Sequence, residues 1–310
     1  MTSIERVESA SEATASAAPA SAWIAITTTE MAGAVGTWMP RRTVTSLAGG
    51  EADKEIPALL SVHVPPRRKG RWFERPRCVA VFSYRYDAQL VPALIENLRP
   101  VVDGWVSWDD RAATTSFTGD TERRKLLIQA AYDAGAQWVL AMDPDERLER
   151  SAAKIVPRLI CTPFANSWSF RFRELYGPKT YRVDGIWGEK RQTRLFRLFD
   201  HQFPIAAKGS FETAELHQPW VSGGMRRRHA ELNLYHLKMI TPERRRARSA
   251  LYNALDPDGR FQKVGYDYLA DDAGAVLQPI AAGREYLPAH EDDAGLWMAP
   301  PESVAPISRG

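Results

Sequence analysis

Asp143-Pro144-Asp145-Glu146 puts three carboxylates into four residues, directly after the apolar run Trp138-Val139-Leu140-Ala141-Met142. Pro144 fixes its own φ and biases Asp143 toward an extended backbone, so both aspartates can aim at one small volume. Two carboxylates together with diphosphate oxygens would make an all-oxygen site for Mg²⁺ or Mn²⁺. A solvated Asp-Pro-Asp turn has the same residues; the position at the end of a buried strand favours the site. A second acidic pair, Asp109-Asp110, closes the stretch Trp105-Val106-Ser107-Trp108. Glu212, Glu215 and His217 are candidates to accept a proton, with Glu215 and His217 ranked equally. Arg194 and Arg197 either hold phosphate or lie on the wet face of a strand. Tyr84 and Trp108 either stack on a base or fill the core. Leu232, Leu234 and His236 alternate along one strand face, so the histidine would end a buried row.

The elements that must position these groups follow from punctuation and periodicity. Cys78 to Phe82 suits a buried parallel strand. Asp87 can cap a helix carrying Leu90, Val91, Leu94, Ile95 and Leu98 at helical spacing. Trp105 to Trp108 is a second strand. Asp120 can cap a helix to Ala134 with Leu127, Ala130, Ala131 and Ala134 inward, ended by Gly135. Trp138 to Met142 is a third strand, and Ser151 can cap a helix with Ile155, Val156, Leu159 and Ile160 inward. This alternation predicts an α/β fold with a parallel sheet, whose ligands bind beyond the carboxyl ends of the strands. Trp168 to Phe172 and Leu195 to Phe199 are further strand candidates, with an antiparallel character. Thr241-Pro242 starts a helix bearing Arg244, Arg245, Arg246 and Arg248. Those arginines form either a solvated face or a surface for an anionic acceptor, a diphosphate or a membrane.

The stretch Val79 to Leu148 resembles the nucleotide-binding half of family 2 glycosyltransferases, whose fold is called GT-A. Val81-Phe82-Ser83-Tyr84, Trp108-Asp109-Asp110, Arg123-Arg124-Lys125 and Trp138 to Glu146 carry the resemblance. It implies a GT-A-like mixed sheet, mainly parallel, flanked by helices. It implies that the strand ending in Ser83 and Tyr84 opens a nucleotide pocket and that Asp109 or Asp110 contacts the base or ribose. Arg123 or Arg124 would sit near the nucleotide, and Asp143 with Asp145 would hold Mn²⁺ or Mg²⁺ on the diphosphate. Arg194-Leu195-Phe196-Arg197 resembles an arginine-rich strand of a bacterial branch. Glu215-Leu216-His217-Gln218 resembles a segment where that branch has His-Glu, with Gln218 in place of the acid. Leu234-Tyr235-His236-Leu237, followed by a basic helix, also fits, and the resemblance makes His236 a metal ligand or diphosphate contact. The alternative is a core histidine bonded to a backbone carbonyl. The likeness spans about Arg77 to Leu269. The implied activity is inverting, metal-dependent transfer of a sugar from a nucleotide-diphosphate donor to an unknown acceptor: a glycan, a lipid-linked molecule or a protein. A nucleotidyltransferase is disfavoured because no glycine-rich, lysine-containing loop follows the first strand. Gln218 keeps open a binding protein of the same fold without turnover.

A net charge of +3 gives no strong field for nucleic acid, and none is expected as a partner. No run of about 18 apolar residues predicts a membrane span, although membrane association through the basic helix stays open. The Ala/Ser-rich start carries Glu5, Glu8 and Glu12 and does not resemble a secretory signal. Cys78 and Cys161 sit alone in apolar contexts, which fits small core residues and a reducing, cytoplasmic setting. The expected division is a disordered or loosely packed segment over 1–70, a catalytic domain over 71–285 and a tail over 286–310. The alternative at the first boundary is a strand within Ile56 to Val64. Because strand-end carboxylates pack little, Asp143→Asn and Asp145→Asn are expected to leave the fold intact.

Overall fold

The protein is described from a computed structural model over residues 24–28, 42–46, 59–66, 75–112, 120–200, 226–259 and 262–291; for 24–28, 42–46 and 120–122 this covers the backbone alone. With elements numbered in chain order, three parallel strands form the centre: β4 (Cys78–Tyr84), β5 (Gly104–Asp109) and β6 (Trp138–Ala141). β4 is apolar along its whole buried length because helices cover both of its faces. Cys78, Ala80 and Phe82 pack with Leu94 and Leu98 of α1 (Val91–Leu98). Val79 and Val81 pack with Leu127, Ile128 and Ala131 of α2 (Asp120–Asp133). The period-two alternation of one strand thus feeds two cores.

On one side the sheet continues through β3 (Leu60–His63), antiparallel to β5, then β2 (Arg42–Ser46) and β1 (Ile24–Thr28). Leu60 and Val62 are buried in the α2-side core, so the strand alternative inside 56–64 is the one the chain takes. On the other side β10 (Arg191–Arg197) runs antiparallel to β6, followed by β8 (Ser167–Glu174), β11 (Arg227–His236) and β7 (Glu146–Leu148). Among the described strands the sheet is mixed, as expected, but it is parallel mainly at its centre. Only β4–β5, β4–β6 and β8–β11 pair in parallel; the other six neighbours in the sheet are antiparallel. Three of these antiparallel pairs, β1–β2, β2–β3 and β3–β5, lie before β6 in the chain, and the other three involve strands that follow it.

Helix α3 (Ala152–Leu159) buries Ala152 and Val156. A two-stranded sheet pairs β9 (Thr180–Arg182) with β12 (Leu277–Pro279). Short α4 (Ile186–Glu189) precedes β10, and α5 (Pro242–Leu255) follows β11. Thr241 caps α5 as expected, its hydroxyl accepting the Arg244 N–H. Asp87 and Ser151 do not cap: Asp87 accepts the Arg85 N–H, and the Ser151 hydroxyl donates to Glu149. The expected tail begins inside the packed structure. Tyr286 is buried and donates to the Pro178 carbonyl, and Asn97 donates to the Leu287 carbonyl. No helix among the described residues is long and apolar enough to cross a membrane.

Candidate active site

The register of the central strands assembles one rim. Ser83 lies opposite Trp108 and Tyr84 opposite Asp109, while β6 ends level with Val81, so the chain after it enters the space beside the end of β4. Ser83, Tyr84, Asp109, Asp110 and Asp143 therefore share the carboxyl end of the parallel strands, where open α/β sheets bind ligands. Arg123 and Arg124 reach this rim from α2. Arg123 Nη1 donates to Asp110 Oδ2 at 2.8 Å and Arg124 Nη2 to Asp143 Oδ1 at 3.1 Å. Arg111 forks onto Asp109 and lies 5.7 Å over the Tyr84 ring. Trp108 is half-buried beside the α2-side core.

The acidic turn closes on itself, with the Asp143 N–H donating to Glu146 Oε2 at 3.0 Å. Glu146 opens β7 and is fully buried, where Arg194 forks onto it at 2.5 and 3.1 Å. Arg194 gets there because the register of β10 against β8 shifts between Thr193 and Leu195, a bulge that re-aims the side chain. The same guanidinium stands 3.7 Å from Asp143. Parallel pairing of β8 with β11 sets His236 beside Glu174, and antiparallel pairing with β7 sets it beside Glu146. His236 Nδ1 is 2.6 Å from Glu174 Oε2, and Nε2 is 3.3 Å from Asp145 Oδ2. Lys238 Nζ is 3.6 Å from that same oxygen. Glu174 also accepts from Lys190 at 3.0 Å, with Arg248 at 4.0 Å.

Burial alone would raise the Asp145 carboxyl, but Lys238 and His236 pull it well below the usual carboxylate range. Burial is likewise overcome at Glu174, by His236 and Lys190. At His236 burial opposes charge, and Glu174 with Asp145 raises the imidazole above its ordinary value. Asp87 is pushed up to about 6 by burial and by Asp145. Tyr252 is drawn down to about 8 chiefly by Lys238, with Arg248 assisting.

Of the residues expected at the site, Ser83, Tyr84, Asp109, Asp110, Arg123, Arg124, Asp143, Asp145, Arg194 and His236 come to this region. Arg197 does not. It pairs with Trp138 at the start of β6 and lies over the Phe199 ring, roughly 15 Å away by strand rise at the other end of the sheet. Arg194 and Arg197 are three residues apart on a strand, and the bulge does not bring them to one end. Glu212, Glu215 and His217 lie outside the described residues. Glu174, Lys190 and Lys238 escaped the sequence reading, whereas Arg248 was among the helix arginines read there as a solvated face or an anion contact. Glu174 was accessible in principle, since Phe170, Phe172 and Glu174 alternate as Leu232, Leu234 and His236 do.

A Mn²⁺ or Mg²⁺ ion would need several of these oxygens on one open volume. The placed residues do not fit one. Asp143 faces Arg124 and Arg194, Asp145 faces His236 and Lys238, and Glu146 and Glu174 are buried against cations. Both ring nitrogens of His236 are already engaged by carboxylates, Nδ1 by Glu174 and Nε2 by Asp145. Among the described residues no three His, Cys, Asp or Glu side chains are placed to share a metal ion.

No family model matches the chain, and no curated protein does. Among solved structures it is similar to the crystal structure of a glycosyltransferase involved in the glycosylation of the major capsid of PBCV-1. That match has 12% sequence identity and a TM-score of 0.33, and covers 50% of this chain and 82% of that one. A likeness of this size carries no argument about activity.

Proposed function

We propose that the chain is a glycosyltransferase that takes a nucleotide-diphosphate sugar as donor. The observation that supports this is the pairing of two kinds of surface on one strand-end rim. An aromatic and acidic row, Tyr84, Asp109 and Asp110, suits a base and ribose. Beside it stands the ion-paired cluster of Asp143, Asp145, Arg124, Arg194 and Lys238, which suits a charged phosphate group. In the reaction an acceptor hydroxyl oxygen bonds to the anomeric carbon as the bond from that carbon to the diphosphate oxygen breaks. The diphosphate leaves with the electron pair, and fixed cations stabilise the charge it gathers. The acceptor proton goes to a carboxylate or imidazole, for which Glu215 and His217 are the proposed groups. A single displacement inverts the anomeric centre. The acceptor class stays a glycan, a lipid-linked molecule or a protein.

The test is incubation with a panel of nucleotide sugars, reading release of nucleoside diphosphate. Release from one donor, lost in Arg194→Gln, is the expected result. Binding without release would instead make the chain a nucleotide-sugar-binding protein. Formation of a nucleotide sugar from a sugar phosphate and a nucleoside triphosphate would make it a nucleotidyltransferase.

A further inference from the structure

We infer that this site binds the donor's diphosphate through Lys238 and Arg248, with Arg194 behind them, and needs no divalent cation to do so. The inference rests on the reading of the rim as a nucleotide-diphosphate site.

The argument is one of access. Four carboxylates gather here, and three are sealed: the side chains of Asp145, Glu146 and Glu174 are 2%, 0% and 0% exposed. Only Asp143, at 28%, shows an appreciable surface. Within this cluster a divalent ion arriving from solvent therefore meets one carboxylate, already paired with Arg124 and Arg194, while the neighbouring rim acids Asp109 and Asp110 are paired with Arg111 and Arg123. An anion meets the opposite situation. Lys238 is 22% exposed and Lys190 31%, each standing in front of a sealed acid. Arg248, 13% exposed, adds a guanidinium that bonds Tyr252 and keeps Nε and Nη1 without a hydrogen-bond partner among the described residues. Its Nη1 is 4.0 Å from Glu174, beyond hydrogen-bond reach. Guanidinium N–H groups without an acceptor are costly, and phosphate oxygens meeting the exposed part of this side chain are natural acceptors for it. The buried acids then have a different task from metal binding. They hold Lys238, Lys190, His236 and Arg248 in place, so that the cations need little reorganisation when the anion arrives.

The prediction is tested by calorimetric titration of the full chain with uridine and guanosine diphosphate and with inorganic pyrophosphate, once in EDTA and once with Mn²⁺. At least one of them should bind in EDTA within about threefold of its affinity in Mn²⁺. Lys238→Gln and Arg248→Gln should each weaken that binding about tenfold, the loss of one charge-assisted contact. Lys238→Arg, which keeps the charge, should retain most of it and guards against a folding defect in the glutamine variant. Arg197→Gln, at the far end of the sheet, should bind as the parent does. Binding that appears only with Mn²⁺ overturns the inference while leaving glycosyl transfer standing. Unchanged binding in both glutamine variants overturns it as well. If none of the three ligands binds under either condition, the reading of the rim itself fails, and the inference with it.

Discussion

Asp143 and Asp145 are two residues apart and physically unlike. Asp145 is buried between His236 and Lys238, whereas Asp143 keeps a surface on the rim. The expectation that both tolerate conversion to Asn is therefore kept for Asp143 alone. Removing one member of a buried ionic group leaves its partners uncompensated, so Asp145→Asn should cost about 3 kcal/mol in urea denaturation. Asp143→Asn should cost about 1 kcal/mol or less. A loss for Asp145→Asn no larger than that for Asp143→Asn would refute the assignment. His236 adds a pH signature. Its folded-state pKa lies above the unfolded value of 6.5. The stabilisation is thus full below about pH 6.5 and is lost as pH rises through the folded-state value. Melting temperature should fall over that window in the parent and fall less in Glu174→Gln, which removes the closer carboxylate. Equal slopes for the two proteins would count against the Glu174–His236 pair.

Among the elements, β7 is short, running only from Glu146 to Leu148, and holds the acidic turn in place. Its Arg147 is fully buried and donates to the carbonyls of Pro144 at 2.7 Å, Glu146 at 2.7 Å and Leu90 at 3.1 Å. One guanidinium thereby fixes the turn between β6 and β7 to the start of α1. Arg147→Met fills similar volume but leaves those carbonyls unsatisfied. It should cost roughly 3 kcal/mol, one to three per buried acceptor discounted for relaxation, and a near-neutral result in denaturant would refute this role. On the other side of the centre, Gly104 opens β5 where a Cβ would meet the His63 carbonyl oxygen at 2.5 Å. Gly104→Ala should push β3 away from β5 and cost about 1–3 kcal/mol. Amide exchange should rise selectively in β3; unchanged protection there would show that the strands tolerate the methyl group.

At the scale of the molecule, the boundary expected at residue 70 does not separate a loose segment from a packed one, because β3 belongs to the sheet. Leu60 and Val62 are buried against Val79, Val81 and Val106 in the α2-side core. Removing residues 1–66 would take away Leu60 and Val62 and uncover their neighbours in that core and the edge of β5. At about 1.5–3 kcal/mol for each buried aliphatic side chain, stability should drop by more than about 3 kcal/mol. A truncated chain that melts with the parent would show that β3 is dispensable.

The central α/β unit was legible because local patterns determine it. Continuous apolar runs made β4, β5 and β6, a helical stripe made α1, and Gly135, at φ +81°, ends α2 where the sequence put its stop. The acidic turn was legible for the same reason, as a polar group straight after a buried run. What each acid faces depends on strands far apart in the chain, and no local pattern carries that. The parallel register of β8 on β11 pairs Glu174 with His236 across 62 residues, and the bulge in β10 turns Arg194 toward Glu146 while Arg197 stays at the far rim. Sequence chemistry alone supplied oxygen ligands at a strand end. Tertiary packing brought Arg124, Arg194, Lys238 and His236 against them, and buried charge is tolerated only when paired; that pairing turned a candidate cradle for a cation into a surface suited to an anion.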